Sequence, residues 1–222
     1  MHIPDGFLAP EFYLPAWGAA GLAVAHSVRK VKAELNERTL PRLGVFTAAA
    51  FLLMSLALPL PFGGTIHATG IPLLAFLFGR SMALASITIV LLLQSLLLGE
   101  GGVTALGMNI LIMGVLGPAV VRSVYAMLRR YALAVGIASG TGVIAMALAT
   151  AAALSLQPLI GSDAEGRPLF FPLHYNVVFP AVIIPHIWLA VIESLVTAWV
   201  VRTMNGAFPG LPERQNEAER SR

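Results

Sequence analysis

Seven apolar runs, at roughly 12–28, 43–60, 68–79, 81–98, 103–121, 131–156 and 178–201, punctuate this chain, each bounded by charges, glycines or prolines. So much apolar sequence, so evenly spaced, has few places to hide in water. A helix crossing about 30 Å of hydrocarbon needs about 20 residues, and most of these runs are near that length. Hydrophobic residues make up 57% of the 222 and charged residues 11%, against about 25% charged in a soluble domain. The pattern predicts an all-α integral membrane protein of about seven transmembrane helices. The runs 68–79 and 81–98 are short for separate crossings, so one long helix over 68–98 is the alternative.

Charge placement decides between these options, because Lys and Arg collect on the cytoplasmic side of short loops. With the N-terminus outside, seven spans place Arg29, Lys30, Lys32, Arg38, Arg42, Arg80, Arg122, Arg129, Arg130, Arg202, Arg214, Arg220 and Arg222 inside, and only Arg167 outside. Merging 68–98 would put Arg122, Arg129 and Arg130 on the wrong face. The expected topology is therefore N-terminus out and C-terminus cytoplasmic, in a multi-pass protein of the cell membrane. Residues 1–204 form one membrane domain that opens with an N-terminal clamp over 1–8. Residues 205–222, with Pro209, Pro212 and mixed charges, are expected to be a disordered cytoplasmic tail.

This arrangement narrows the chemistry. The chain has no cysteine, which excludes thiolate zinc sites, iron–sulfur clusters and disulfides. Its formal charge of +3 comes from residues flanking apolar runs, so it reports topology and not nucleic-acid binding. No G-x-x-x-x-G-K-[ST] phosphate loop and no H-E-x-x-H occur, so the expectation is a protein that is not an enzyme, has no ATPase motif of its own and needs no organic cofactor. The start lacks a basic n-region and an A-x-A-like cleavage site, so Met1 is expected to be the mature first residue.

On the outer side the topology gathers residues 1–11, the loop 61–67, residues 99–102 and the loop 157–180. His2 carries the sharpest signal. A free α-amine, the next backbone nitrogen and an imidazole can close two fused chelate rings only when the histidine is second. The amine titrates near pH 7.7–8.0, so a metal can displace its proton at neutral pH. Deprotonating the His2 amide calls for a metal that favours a planar nitrogen field, as Ni(II) and Cu(II) do. Ile3 before Pro4 is pushed to extended geometry, and Pro4-Asp5-Gly6 has turn chemistry; Asp5 reads as a hydrogen-bond acceptor. His67, in the irregular Pro61-Phe-Gly-Gly-Thr-Ile-His67 segment, can supply a fourth nitrogen. Irregular backbone at membrane depth is tolerated where it lines a cavity.

The start Met1-His2-Ile3-Pro4-Asp5-Gly6-Phe7-Leu8, the loop Gly63-Gly64-Thr65-Ile66-His67 and the segment Gly101-Gly102-Val103-Thr104-Ala105-Leu106-Gly107-Met108-Asn109 resemble the CbiM/NikM family, the cobalt and nickel substrate-binding subunits of energy-coupling factor ABC transporters. The resemblance runs from Met1 to about residue 130 and is looser beyond, although Pro185-His186 and Glu193-Ser194-Leu195-Val196-Thr197 keep the look of the last helix. It implies Ni(II) or Co(II) as transported substrate, held by the Met1 amine, the His2 amide nitrogen and imidazole, and the His67 imidazole. Asp5, Thr65 and Asn109, inside the matched motifs, are the candidates to support those ligands. The implied partners are a transmembrane coupling subunit, a pair of ATP-binding cassette ATPases and a small accessory membrane subunit, all within membrane lipid.

The remaining polar residues of the spans have two readings. Gln94, Thr104, His186 and Glu193 either orient the clamp or hydrogen-bond between helices, and for Gln94, Thr104 and His186 the structural role is favoured. His26 and His174 are assigned to the interfaces, and Phe170, Phe171 and Tyr175 either to an interface or to a cap over the site. Gly21-x-x-x-Ala25 and Gly136-x-x-x-Gly140 suit close helix packing within the bundle. An ATP-independent carrier or channel for divalent metal is the alternative function, but it would place ionisable residues along a path at mid-membrane. A scaffold without metal dependence is a third class.

Overall fold

A computed structural model describes residues 1–59 and 65–204; the expected tail over 205–222 and the Gly63-Gly64 part of the loop lie outside the described residues. The described chain is helical apart from one short hairpin. Its elements run α1 Pro10–Glu34, α2 Thr39–Ser55, β1 Leu58–Pro59, β2 Thr65–Ile66, α3 Ile71–Leu93 with a π-helical extension Gln94–Leu98, α4 Leu106–Asn109 leading through π-helical Ile110–Leu116 into α5 Gly117–Leu128, α6 Ala134–Ser155 and α7 Tyr175–Thr203.

Local chemistry explains the boundaries. α1 begins on Pro10, where a missing N–H costs nothing. Its preceding residue has no side chain to cap with, and Gln157 substitutes by accepting the Ala9 N–H at 2.9 Å. Asn36 caps α2, its Oδ1 accepting from the Arg38 and Thr39 amides at 3.0 Å each. The expected run 43–60 stops being helical at Ser55, and Leu58–Pro59 pairs antiparallel with Thr65–Ile66 instead. This hairpin carries the chain down to His67.

α3 is not a straight rod. Gly79, at φ 79° and ψ 178°, occupies a region essentially restricted to glycine. A methyl at Gly117 would lie 3.2 Å from Ile71, and one at Gly114 would strike Leu84 at 2.7 Å. Ile71 and Leu84 would stand about 20 Å apart along a continuous helix, yet they meet neighbours only about 4.5 Å apart along the next one. The chain therefore turns back at Gly79, where the apolar pattern divides 68–79 from 81–98. Only 71–78 of the first run is helical, about half the length of a crossing.

Four helical stretches are long and apolar enough to cross a membrane by length and composition: Ile71–Leu98, Leu106–Leu128, Ala134–Leu159 and Tyr175–Thr203, with Thr39–Ser55 a shorter apolar helix. α6 packs along α7 and against α5. The Gly136/Gly140 pair serves this contact, since a methyl at Gly140 would sit 2.6 Å from Ser194 Oγ. Gly21 faces open space. Ile187, Trp188, Leu195 and Trp199 on α7 are exposed, as a lipid-facing surface requires. Fold and composition together describe an all-α membrane protein. Arg80 donates to the Ser123 hydroxyl and Arg202 to the Ala132 carbonyl.

Candidate metal centre

Chain termini are usually loose at the surface, but here the first residues are driven into the protein. Met1, His2 and Ile3 are 3%, 4% and 0% exposed. Ile3 is gripped through its backbone: its N–H donates to Asn109 Oδ1 at 3.0 Å, while its carbonyl accepts from Asn109 Nδ2 at 3.1 Å and from the Gly102 amide at 2.9 Å. A methyl on Gly102 would collide with the Asp5 backbone, so the Gly101-Gly102 pair is what lets the two strands of chain touch. Asp5 completes the latch by accepting from the Val103 amide (3.1 Å), the Thr104 amide (2.7 Å) and the Thr104 hydroxyl (2.5 Å). Partial burial pushes the Asp5 carboxyl up, but these donors outweigh it and hold the group below its ordinary 3.8.

The segment 101–109 thus serves the first residues, and two of its polar neighbours sit at changes of helix type. Gln94 opens one π-helical turn and Asn109 immediately precedes the other. Widening a helix by one residue re-aims the side chains around it, and both side chains are buried. Gln94 lies close enough to His2 to favour its protonated form, yet no hydrogen bond of ordinary geometry joins them. Among the described residues the buried Gln94 amide finds no hydrogen-bond partner.

The nitrogens converge above this latch. The Met1 amine donates to the Thr65 carbonyl, so Thr65 contributes its backbone and not its hydroxyl. The His2 and His67 rings stack with centroids 4.6 Å apart and planes inclined by 27°. His67 Nδ1 lies 3.4 Å from the Ala68 carbonyl. A carbonyl can only accept, so the contact selects the Nδ1–H tautomer and leaves the Nε2 lone pair free. Among the described residues His67 Nε2 and both ring nitrogens of His2 are buried without a hydrogen-bond partner, a costly state unless something fills it. Behind His67, the Thr69 amide and the Gly70 amide (3.1 Å) donate to the buried Glu193 carboxylate on α7. Glu193 therefore anchors the loop that carries His67.

Burial strips these nitrogens of protons. Desolvation lowers the Met1 amine to about 5 against a smaller upward pull from Glu100. Desolvation and then the neighbouring amine lower His2 to about 3. The same two influences hold His67 well below its ordinary 6.5. At neutral pH the amine and both imidazoles present lone pairs, as divalent nitrogen-bound metals need. Among the described residues there is no cluster of three or more His, Cys, Asp or Glu side chains fit for a metal. What the structure does bring together is two buried imidazoles and the buried Met1 amine.

Three residues near the centre carry roles that sequence reading assigned elsewhere or missed. His186 is fully buried and lines a cavity of about 30 Å³ together with Met1, His2 and Phe171; only its position after Pro185 in an apolar run hinted at this. Glu100 faces the Met1 amine. Gln157 caps α1. His26 and His174 are exposed, as is Tyr175, while Phe171 packs at a tilt of 47° against Phe7, ring centroids 5.1 Å apart, and both line the cavity.

Fold and pocket define a class: a helical membrane protein whose distinguishing chemistry is a buried nitrogen-rich pocket under its own first residues. Over residues 2–211 the sequence matches the family described as CbiM, cobalt uptake substrate-specific transmembrane region, and the chain belongs to that family of cobalt and nickel transport membrane proteins. It is 38% identical over 220 residues to a fused nickel transport protein of Rhodobacter capsulatus, covering 95% of this chain and 63% of that one. A cobalt transport protein of Desulforamulus reducens is 34% identical over 224 residues, covering 97% and 87%. A crystal structure of a truncated transition metal transporter superposes with a TM-score of 0.88 at 34% identity, covering 94% of this chain and all of that one.

Proposed function

We propose that this chain is the substrate-binding membrane subunit of an energy-coupling factor transporter that imports Ni(II) or Co(II). The ion is captured on the outer side by four nitrogens: the Met1 amine, the His2 amide and imidazole, and the His67 imidazole. The observation that carries this reading is the burial of both His2 ring nitrogens and His67 Nε2, without a hydrogen-bond partner among the described residues, beside a buried Met1 amine. Asp5, Thr65 and Asn109 support the ligands by fixing where the first residues lie. In the same reading the chain crosses the cell membrane seven times with its N-terminus outside. It works with a transmembrane coupling subunit, a pair of ATP-binding cassette ATPases and an accessory membrane subunit.

The decisive test moves the first residue. Placing one Ala before Met1 replaces the terminal amine by a peptide nitrogen and makes the histidine third, which breaks the fused chelate. Nickel affinity of detergent-purified protein, measured by calorimetry, is expected to fall at least about 100-fold, as loss of a well-placed group at a metal site does. A C-terminal tag is expected to leave it unchanged. Equal affinity in native, extended and tagged proteins would sink the proposal.

A further inference from the structure

The cavity beside Met1 and His2 is mostly apolar, walled by Pro4, Phe7, Leu154 and Phe171. Besides the ring nitrogens of His2, three polar side-chain atoms interrupt that wall: His186 Nε2 from α7, Thr150 Oγ1 from α6 and Thr65 Oγ1 from β2, all buried and without a hydrogen-bond partner among the described residues. His186 and Thr150 are 0% and 3% exposed. His186 Nδ1 lies 2.6 Å from the Val182 carbonyl, which fixes the Nδ1–H tautomer and leaves the Nε2 lone pair to the cavity. Pro185 has no N–H to offer the carbonyl of Ala181, another wall residue. Three separate elements thus aim donors or acceptors into about 30 Å³, room for one or about two waters, and an ordered water needs roughly two to four such partners.

We infer that this cavity holds a water bound by His186, Thr150 and Thr65, and that its oxygen serves as an axial fifth donor to the metal, making His186 a determinant of the choice between Co(II) and Ni(II). The inference rests on the metal-capture reading above. Its chemistry follows from electron count. In a strong planar nitrogen field Ni(II), with eight d electrons, fills the orbital that points along the axis and repels a fifth donor. Co(II), with seven, leaves that orbital half filled and accepts one. A planar site alone therefore favours nickel, and an adjoining water shifts the balance towards cobalt. His186 acts through the water as a positioning residue, its Nε2 accepting a hydrogen bond from the water and so strengthening the water oxygen as a donor.

The test uses the full chain in detergent, loaded with Co(II) or Ni(II) alone, in native form and as His186→Phe and Thr150→Val. Phe fills the space and removes the nitrogen; Val keeps the shape and removes the hydroxyl. The ratio of cobalt to nickel affinity is expected to drop about 10-fold in His186→Phe, the scale of losses when a supporting group is removed from a metal site. The electron paramagnetic resonance spectrum of the Co(II) form is expected to broaden in ¹⁷O-enriched water for the native protein and not for His186→Phe. An unchanged affinity ratio in both variants, or a native spectrum indifferent to ¹⁷O, overturns the inference. Should His186→Phe fail to fold, Thr150→Val carries both readouts. Loss of both metals from the Ala-extended chain with no ratio change in these variants defeats only the axial donor; retention of both metals by the extended chain defeats the capture reading beneath it.

Discussion

Asp5 shows how much of the centre depends on a residue that touches none of the proposed ligands. Its carboxylate collects three donors from Val103 and Thr104, and Asp5→Ala is expected to lower nickel affinity about 10- to 100-fold by letting the first residues swing away. Calorimetry on the purified variant checks this. The latch also has a defined pH window. Asp5 titrates lower in the folded protein than its ordinary 3.8, so its contribution is complete above about pH 4 and is lost as the pH falls through the folded value. Hydrogen exchange at the Val103 and Thr104 amides should be slower in the native protein than in Asp5→Asn above that window, and the difference should vanish below it. A difference that persists at low pH would mean the carboxylate is not what holds these amides. At this scale the sequence singled out His2 and His67, and the structure stacks their two rings side by side. The sequence was silent on Glu100 and Gln157, whose parts follow from which loops meet in space.

Among the elements, the loop after β2 is the one that has to be held in place. Glu193, buried on α7, accepts the Thr69 and Gly70 amides at the entrance to α3. Glu193→Ala leaves those buried amides unpaired, at a cost of about 1–3 kcal/mol, and is expected to lower both the thermal midpoint and nickel affinity. Glu193→Gln, which keeps an acceptor, should lose less of each. Equal losses in the two variants would show that charge, and not hydrogen bonding, is what the loop requires. The extents of α6 and α7 were legible because their long apolar runs end at turn residues or charges, whereas the run 103–121 stops short of α5, which continues through Arg122 to Leu128. The hairpin of Leu58–Pro59 with Thr65–Ile66 was not legible, since its apolar residues continue the run of α2 without a break in composition. Nor were the two π-helical turns, which no residue pattern announces.

For the whole molecule, the distribution of arginines makes a prediction that needs no metal. The chain has no cysteine, so single cysteines can be introduced without first removing any. Ser162→Cys, in the exposed loop before α7, is expected to react with an impermeant thiol reagent in whole cells. Met127→Cys, 79% exposed near the basic end of α5, is expected to react only after the membrane is opened. The reverse pattern would overturn the orientation read from the charges. That reading separated 68–79 from 81–98 by arginine placement, and the structure breaks the helix at the same point, at Gly79.

The tucked first residues also set an order of events during synthesis. Thr65, the hydrogen-bond partner of the Met1 amine, follows it by 64 residues along the chain, and Asn109 follows Ile3 by 106. His186, at the floor of the cavity, comes later still. Contacts this distant along the chain close late. Until those later segments are in place, the amine that the proposed capture of metal requires has nothing to bury it. An enzyme that trims or acylates new chains has that entire interval in which to act, and once the last helix has docked, burial withdraws its target.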